Sequence, residues 1–236
     1  MARDKLLTKH MLEEAGLPAP KTYAKIQNRK ELLEFDWEKL PESFVLKPNL
    51  GSGGSGIVII FNRKNNNWIT LENKTLSQKD LMNHISNILD GNYSFGNVPD
   101  IAFFEERLRV SPDLKPWTYK GVPDIRVIVY QRIPVMAMMR LPTKASEGKA
   151  NLHRGAVCVG IDLARGITTH AIVWNREIAY HPDTKLLLAG IKIPFWMEIL
   201  RLSVRAQEAI GLGYMGADIT IDARYGPIIL EVNAHP

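Results

Sequence analysis

The chain has 236 residues and a mass of 26.6 kDa; 45% of its residues are apolar and 23% charged, with 30 Lys and Arg against 25 Asp and Glu. Folding a chain of this length removes about 70% of its unfolded surface from water. That excludes a disordered or fibrous chain and allows one large domain or two small lobes. The single cysteine, Cys158, excludes an internal disulfide and a cysteine-based zinc site, and it reads as a buried thiol in a reducing, cytoplasmic setting. No apolar run approaches the roughly 20 residues that span a bilayer, so no membrane insertion is expected.

Asp4 stands as an N-cap before Leu6, Leu7, Met11 and Leu12 at helical spacing, with Gly16 and Pro18 behind them. This predicts a helix over 5–15. Strands are predicted over 22–26, 44–47 and 57–61, a short helix over 29–35, and another over 78–89 with Ser77 as its cap. From residue 101 the pattern turns strand-rich, with strands over 101–105, 125–130, 135–141, 156–159, 169–174, 219–222 and 228–232. One long helix interrupts them, its buried stripe read as Phe195, Ile199, Leu202, Ala206 and Ile210, and Gly211 stops it. The expectation is an α+β protein with mostly antiparallel sheets: a lobe over 1–100, a lobe over 101–236, and a hinge in 91–100. Net charge is uneven, +1 over 1–100, +5 over 101–155 and −1 over 156–236. A local basic stretch serves phosphate groups, a nucleic-acid backbone or an acidic surface, or is an ordinary solvated face.

Three constellations carry chemistry. Phe44-Val45-Leu46-Lys47-Pro48 leads into Gly51, Ser52, Gly53, Gly54, Ser55 and Gly56, and then into Ile57-Val58-Ile59-Ile60. A loop of this composition between two strands lets backbone N–H groups approach phosphate oxygens, and Lys47 adds a point charge. It is neither a Walker A loop nor a dinucleotide fingerprint. Asp218, Glu231 and Asn233 interrupt otherwise apolar strands near the C-terminus, and the alternation of side chains puts Glu231 and Asn233 on one face. An all-oxygen set of this kind suits magnesium. Between these ends, Arg126, Arg140 and Arg154 lie in or beside strands, where guanidinium groups suit a phosphate or carboxylate clamp, a surface salt bridge being the default for any one of them alone. His153 reads as structural.

In this order and spacing the chain resembles the ATP-grasp superfamily, most of all its alpha-L-glutamate ligase-like branch, related to the ribosomal-protein glutamate ligases. The pieces that carry the likeness are Asp4-Lys5-Leu6, Leu46-Lys47-Pro48, the 51–56 loop, Glu105-Glu106, Asp124-Ile125-Arg126, Asn151-Leu152-His153-Arg154-Gly155, Gly216-Ala217-Asp218-Ile219 and Glu231-Val232-Asn233. The resemblance implies two α+β lobes sandwiching ATP, with the 51–56 loop as a lid. It gives Lys5 and Lys47 to the phosphates, Glu106 and Arg107 to the adenine, and Asp124 to the ribose. Asn151, Asp218, Glu231 and Asn233 would serve the magnesium-triphosphate, manganese being an alternative ion. Arg126, Arg140 and Arg154 would stand near the γ-phosphate and the acceptor carboxylate. The family pattern has a leading domain and a closing segment beyond this chain, so the expectation is either a truncated protein or a homo-oligomer or partner chain that completes the site.

The activity so implied is a carboxylate–amine ligation on an amino acid or peptide: a carboxylate attacks the γ-phosphate, and an amine then displaces phosphate from the acylphosphate. Charge neutralisation by the ion, Lys47 and the arginines supplies the catalysis. Two alternatives stand beside it. One is an ATP-grasp phosphotransferase acting on a hydroxyl. The other is a basic nucleotide- or nucleic-acid-binding module without turnover, which residues 107–154 disfavour because they lack regular aromatic interleaving. Residues 116–122, with Trp117 and Tyr119, read either as a specificity insert or as a packed loop.

Overall fold

The structure is a computed structural model that describes residues 4–51, 53–65, 67–234 and 236. Ser52 of the glycine-rich loop therefore lies outside the described residues. The chain forms two compact units, one of Pro20–Arg107 and one that joins Met1–Ala19 to Leu108–Pro236. The first helix, α1 (Lys5–Glu14), is capped by Asp4, whose carboxylate accepts from Leu7 N at 2.9 Å. Leu12 and Leu17, in and behind it, are buried in the core of the larger unit.

In the smaller unit a six-stranded sheet runs in the order β1 (Thr22–Ile26), β6 (Ala102–Glu106), β2 (Phe44–Pro48), β3 (Val58–Lys64), β4 (Asn67–Thr70), β5 (Thr75–Leu76). Helices α2 (Arg29–Leu33) and α3 (Gln78–Leu89) belong to the same unit. A capping box starts α3: Ser77 and Asp80 each accept from the other's backbone N–H. The helix then buries Leu81, Ile85, Ile88 and Leu89 in a core with Phe44, Leu46, Trp68 and Phe104.

In the larger unit a seven-stranded sheet runs in the order β11 (Arg176–Ile178), β10 (Ile167–Val173), β9 (Val157–Asp162), β8 (Ile133–Leu141), β7 (Asp124–Tyr130), β12 (Tyr214–Asp222), β13 (Gly226–Asn233). One sheet face meets α4 (Trp196–Ile210), through Ile199, Leu202, Ala206 and Ile210 on the helix and Ile125, Val127, Val129, Ala217 and Ile219 on the strands. Gly211, at φ 75°, ends α4 as a left-handed cap. Every pairing in both sheets is antiparallel among the described residues. This is the expected α+β class.

Four expectations need correction. The boundary at residue 100 cuts through the smaller unit, because β6 is hydrogen-bonded between β1 and β2 and cannot leave that sheet, while α1 belongs to the other unit. Residues 91–100 likewise lie inside the smaller unit rather than joining the two. Phe195 is not part of the α4 stripe; it is the N-cap, at φ 56° and 52% exposed. Strands β4, β5 and β11 were not foreseen. The β10–β11 turn is Trp174-Asn175, both at positive φ as a type I′ hairpin turn requires, and the tryptophan hides that signal in the sequence.

Candidate functional site

In the smaller unit the glycine-rich loop is held at both ends. Before it, Leu50 N donates to both oxygens of the buried Asp100 at 3.0 and 2.8 Å, and Asn49 N donates to Ile101 O at 2.9 Å. After it, the carbonyl of Gly56 lies 2.8 Å from His84 Nε2, and His84 Nδ1 lies 3.3 Å from the Tyr93 hydroxyl. Burial pushes His84 below its ordinary pKa against the raising effect of the Gly56 carbonyl, so the ring is neutral, donates from Nε2 and accepts at Nδ1. Gly56 must be glycine twice over: its φ is 73°, and a Cβ there would stand 2.7 Å from the Tyr93 ring.

Lys47, on β2, forms an ion pair with Glu105 of β6, and both side chains are largely buried. The guanidinium of Arg107 lies over the Phe61 ring, 4.2 Å from its centre. Glu106 N donates to Lys21 O, which ties its backbone to the chain before β1. Sequence reasoning missed the anchoring roles of Glu105, Asp100, His84 and Tyr93. Glu105 had a readable signal, an acid in an apolar strand, but Glu106 beside it drew the assignment.

In the larger unit the sheet face opposite α4 can be mapped from its register, because cross-strand partners point to the same side. One row reads Glu231, Asp218, Arg126, Met138, Gly160 across β13, β12, β7, β8 and β9. The next reads Asp124, Arg140, Cys158, Ile172, Glu177 across β7 to β11. On the other side of the first row lie Asn233, Gly216, Ile128 and Met136. A bulge opposite Asp218 and Ile219 inserts Leu230 into β13. Ile229 thereby stays in the core while Glu231 takes its place opposite Asp218.

A buried charge network occupies the centre of this face. Arg126 donates to Asp218 from Nε at 2.6 Å and from a terminal nitrogen at 2.7 Å. Arg140 donates to Asp124 at 2.5 and 2.6 Å and also reaches Asp218 Oδ2 at 2.7 Å. Asn233 Nδ2 adds a fourth contact to Asp218 at 3.0 Å. Burial tends to raise Asp218, but the two guanidiniums outweigh it and hold the carboxyl below its ordinary range. Burial, with the repulsion of Asp218, pushes Asp124 up to about 7 against the pull of Arg140 and Arg126. Burial would lower Arg126 and Arg140, yet the paired carboxylates hold both above their ordinary range.

The structure thus brings Arg126, Arg140, Asp124, Asp218, Glu231 and Asn233 onto one face. It does not leave Arg126 and Arg140 as bare cations, and Asp218 already accepts from three side chains. Asn151 caps the short 3-10 turn Leu152–Arg154, accepting from His153 N at 2.9 Å, and Arg154 approaches Glu147 at 3.9 Å. Lys5 sits in the first turn of α1. The loop expected to set specificity is packed: Trp117 Nε1 donates to Leu187 O at 2.9 Å, and the Gly148 carbonyl fills the space beside Gly121. Among the described residues no group of three His, Cys, Asp or Glu side chains is placed to hold a metal ion; Glu231 and Asn233, a carboxylate and an amide two residues apart in β13, share the open face. That donor chemistry fits a hard cation that keeps phosphate oxygens and water in its shell.

The family described as sugar-transfer associated ATP-grasp matches residues 1–236. The chain belongs to this family. Among solved structures, a D-alanine–D-alanine ligase from Bacillus anthracis complexed with ATP is 14% identical, with a TM-score of 0.54 over 100% of this chain and 55% of that one. An L-amino acid ligase from Bacillus licheniformis is 16% identical, with a TM-score of 0.55 over 99% of this chain and 40% of that one. The ATP-grasp chain thus spans about half or less of the proteins whose fold it shares. No curated protein matches it. The ATP-grasp fold stands as expected, and the matching family is the sugar-transfer associated one. No helix among the described residues is long and apolar enough to cross a membrane.

Proposed function

We propose that this ATP-grasp chain binds ATP with magnesium and supports the joining of a carboxylate to an amine. The observation that carries the reading is the open sheet face, where Glu231 and Asn233 present oxygen donors beside two arginines whose positions are fixed by Asp124 and Asp218. Magnesium, when bound, would neutralise phosphate charge and orient the γ-phosphoryl group. Glu231 and Asn233 would hold it, with Asp218 behind them fixing the Asn233 amide so that its carbonyl oxygen is the atom presented.

Lys47 would exchange Glu105 for a phosphate oxygen, since an ammonium on a four-carbon stem moves at little cost. Lys5, Glu106, Arg107 and Asn151 would complete the nucleotide contacts, and Arg154, whose 3.9 Å approach to Glu147 is long for an ion pair, would be the arginine to shift onto an acceptor carboxylate. The loop around Gly53 and Gly54 would exclude water from the phosphoryl group. A second reading is phosphoryl transfer to a hydroxyl such as a sugar carries, the matching family being a sugar-transfer associated one. The test is ADP release with magnesium and paired amino acids, with product analysis, on the native chain and on Glu231→Ala. Ligation gives ADP, free phosphate and an amide, and Glu231→Ala lowers the rate at least 100-fold; a phosphorylated acceptor without free phosphate selects the second reading, and an unchanged rate in Glu231→Ala sinks the site.

A further inference from the structure

On the α4 side of the seven-stranded sheet, opposite the charge network, the larger unit holds a groove of about 1130 Å³. Trp117, Ile193 and Trp196 give it an apolar floor. Both indole N–H groups are spent inside the protein, Trp117 on Leu187 O at 2.9 Å and Trp196 on Leu163 O at 2.8 Å, so the rings offer carbon surface alone. At the rim Leu187 is 51%, Phe195 52% and Met197 58% exposed. Phe195 takes its place there at φ 56°, a strained conformation for a bulky side chain.

The backbone along the groove is also occupied. Leu186 O accepts from His181 N, and Leu188 O from the Thr168 hydroxyl. Gly190 N and Ile191 N both donate to Thr168, and Ile193 N donates to Gly166 O. A peptide added as a strand, or a polyol, would bury polar groups here with few partners to meet them. What is left for polar recognition is charge. Arg165, Lys192 and Arg201 line the groove. Arg165 approaches Asp162 only at 3.9 Å, and Lys192 and Arg201 have no ion-pair partner among the described residues. Two acids line it as well, Asp113, which accepts from the Ser111 hydroxyl, and Glu198, so the balance of charge favours an anion.

We propose that this groove binds an amphiphilic anion, an aliphatic chain that ends in a phosphate or carboxylate, with its chain on the apolar floor and its head on the cations that line the same groove. The volume exceeds the roughly 300–1,000 Å³ of ordinary small-molecule sites, which suits a long chain and not a single amino acid. Each methylene laid on the floor adds to the affinity. The site lies on the other side of the sheet from Glu231 and Asn233, and the inference does not rest on the ligase reading.

The full chain is titrated, by ligand-observed NMR, with dodecyl phosphate below its micelle concentration. Inorganic phosphate, which lacks the chain, and dodecyltrimethylammonium, which reverses the head, are run beside it. Dodecyl phosphate is expected to bind at least about tenfold more tightly than either. Lys192→Glu with Arg201→Glu, both at exposed positions, and separately Leu187→Asp, are each expected to lower that affinity at least about tenfold, folding being checked by circular dichroism. Equal binding of the ammonium amphiphile, dodecyl phosphate held no more tightly than inorganic phosphate, or an affinity unmoved by these substitutions in a folded protein would each overturn the inference. Flotation with phosphatidylcholine vesicles, with and without phosphatidic acid, separates two sources of the same chemistry. Capture by the phosphatidic acid vesicles that Lys192→Glu with Arg201→Glu abolishes supports the inference with a head taken from a bilayer, and binding of the monomer without capture supports it with a dissolved amphiphile. Neither arm uses ATP, so its failure leaves the ligase reading untouched.

Discussion

Each unit buries charge on its sheet, and the two do so differently. In the six-stranded sheet one lysine meets one glutamate, Lys47 and Glu105, across neighbouring strands. In the seven-stranded sheet two arginines and two aspartates interlock, with Arg140 shared between Asp124 and Asp218 and with Asn233 joining at the edge. A pair with one flexible ammonium can be opened by a competing anion, because an ammonium on a four-carbon stem turns to a new partner at little cost. A network of bidentate forks resists such exchange, since moving any member strands another charge in a dry setting. The smaller unit thus offers a cation that can be lent, and the larger unit offers a frame that holds its oxygen donors still.

The sharpest way to break this contrast is Asp218→Ala, which leaves Arg126 and Arg140 facing each other without their common carboxylate. A loss of about 3–5 kcal/mol in unfolding free energy is expected by denaturant titration, and a loss below about 1 kcal/mol would show that the network is not a frame. Lys47→Met is expected to cost less, about 2–3 kcal/mol, by removing the ammonium that pairs with the buried Glu105. Adding Glu105→Leu should return most of that stability while ATP binding stays weak in a fluorescent-nucleotide displacement assay. Recovery of ATP affinity in the double variant would mean that Lys47 serves the fold alone.

The smallest effect concerns His84, whose folded pKa lies below its ordinary value through burial. The unfolded chain therefore takes up a proton first, so this group's contribution is complete above about pH 6.5 and is lost as pH falls below it. His181 in the larger unit, also buried and lowered, acts with the same sign. His84→Gln keeps a donor for the Gly56 carbonyl without the titration. The melting temperature of this variant should fall less than that of the native chain between pH 7.5 and 5.5, and equal falls would remove His84 as the titrating anchor of the loop.

Much of this was legible in the sequence because it obeys a short-range rule. Asp4, Ser77 and Gly211 punctuate helices by local hydrogen bonding and backbone freedom, and they do so in the structure. The residues of the open face were named individually because polar side chains in apolar strands are conspicuous. Their pairing was not legible, since it depends on register between strands far apart in the chain: Arg126 meets Asp218 across 92 residues. The division of the chain failed for the same reason. Strand β6 follows the smaller unit's elements in sequence yet lies inside its sheet, between β1 and β2, and α1 precedes them yet packs elsewhere.

The bulge at Leu230 marks a place where β13 can lose a residue. Removing Leu230 would let β12 and β13 pair in regular alternation, because it makes Ile229 and Glu231 neighbours, and neighbours in a strand point to opposite sides of the sheet, as these two already do. Val232 has no such slack: its removal sets Glu231 beside Asn233, and alternation then turns one of the two toward the core. A scan of single-residue deletions along β13 should therefore find Leu230 far more tolerant than Val232, and equal losses of melting temperature at the two positions would show that the extra residue is not slack.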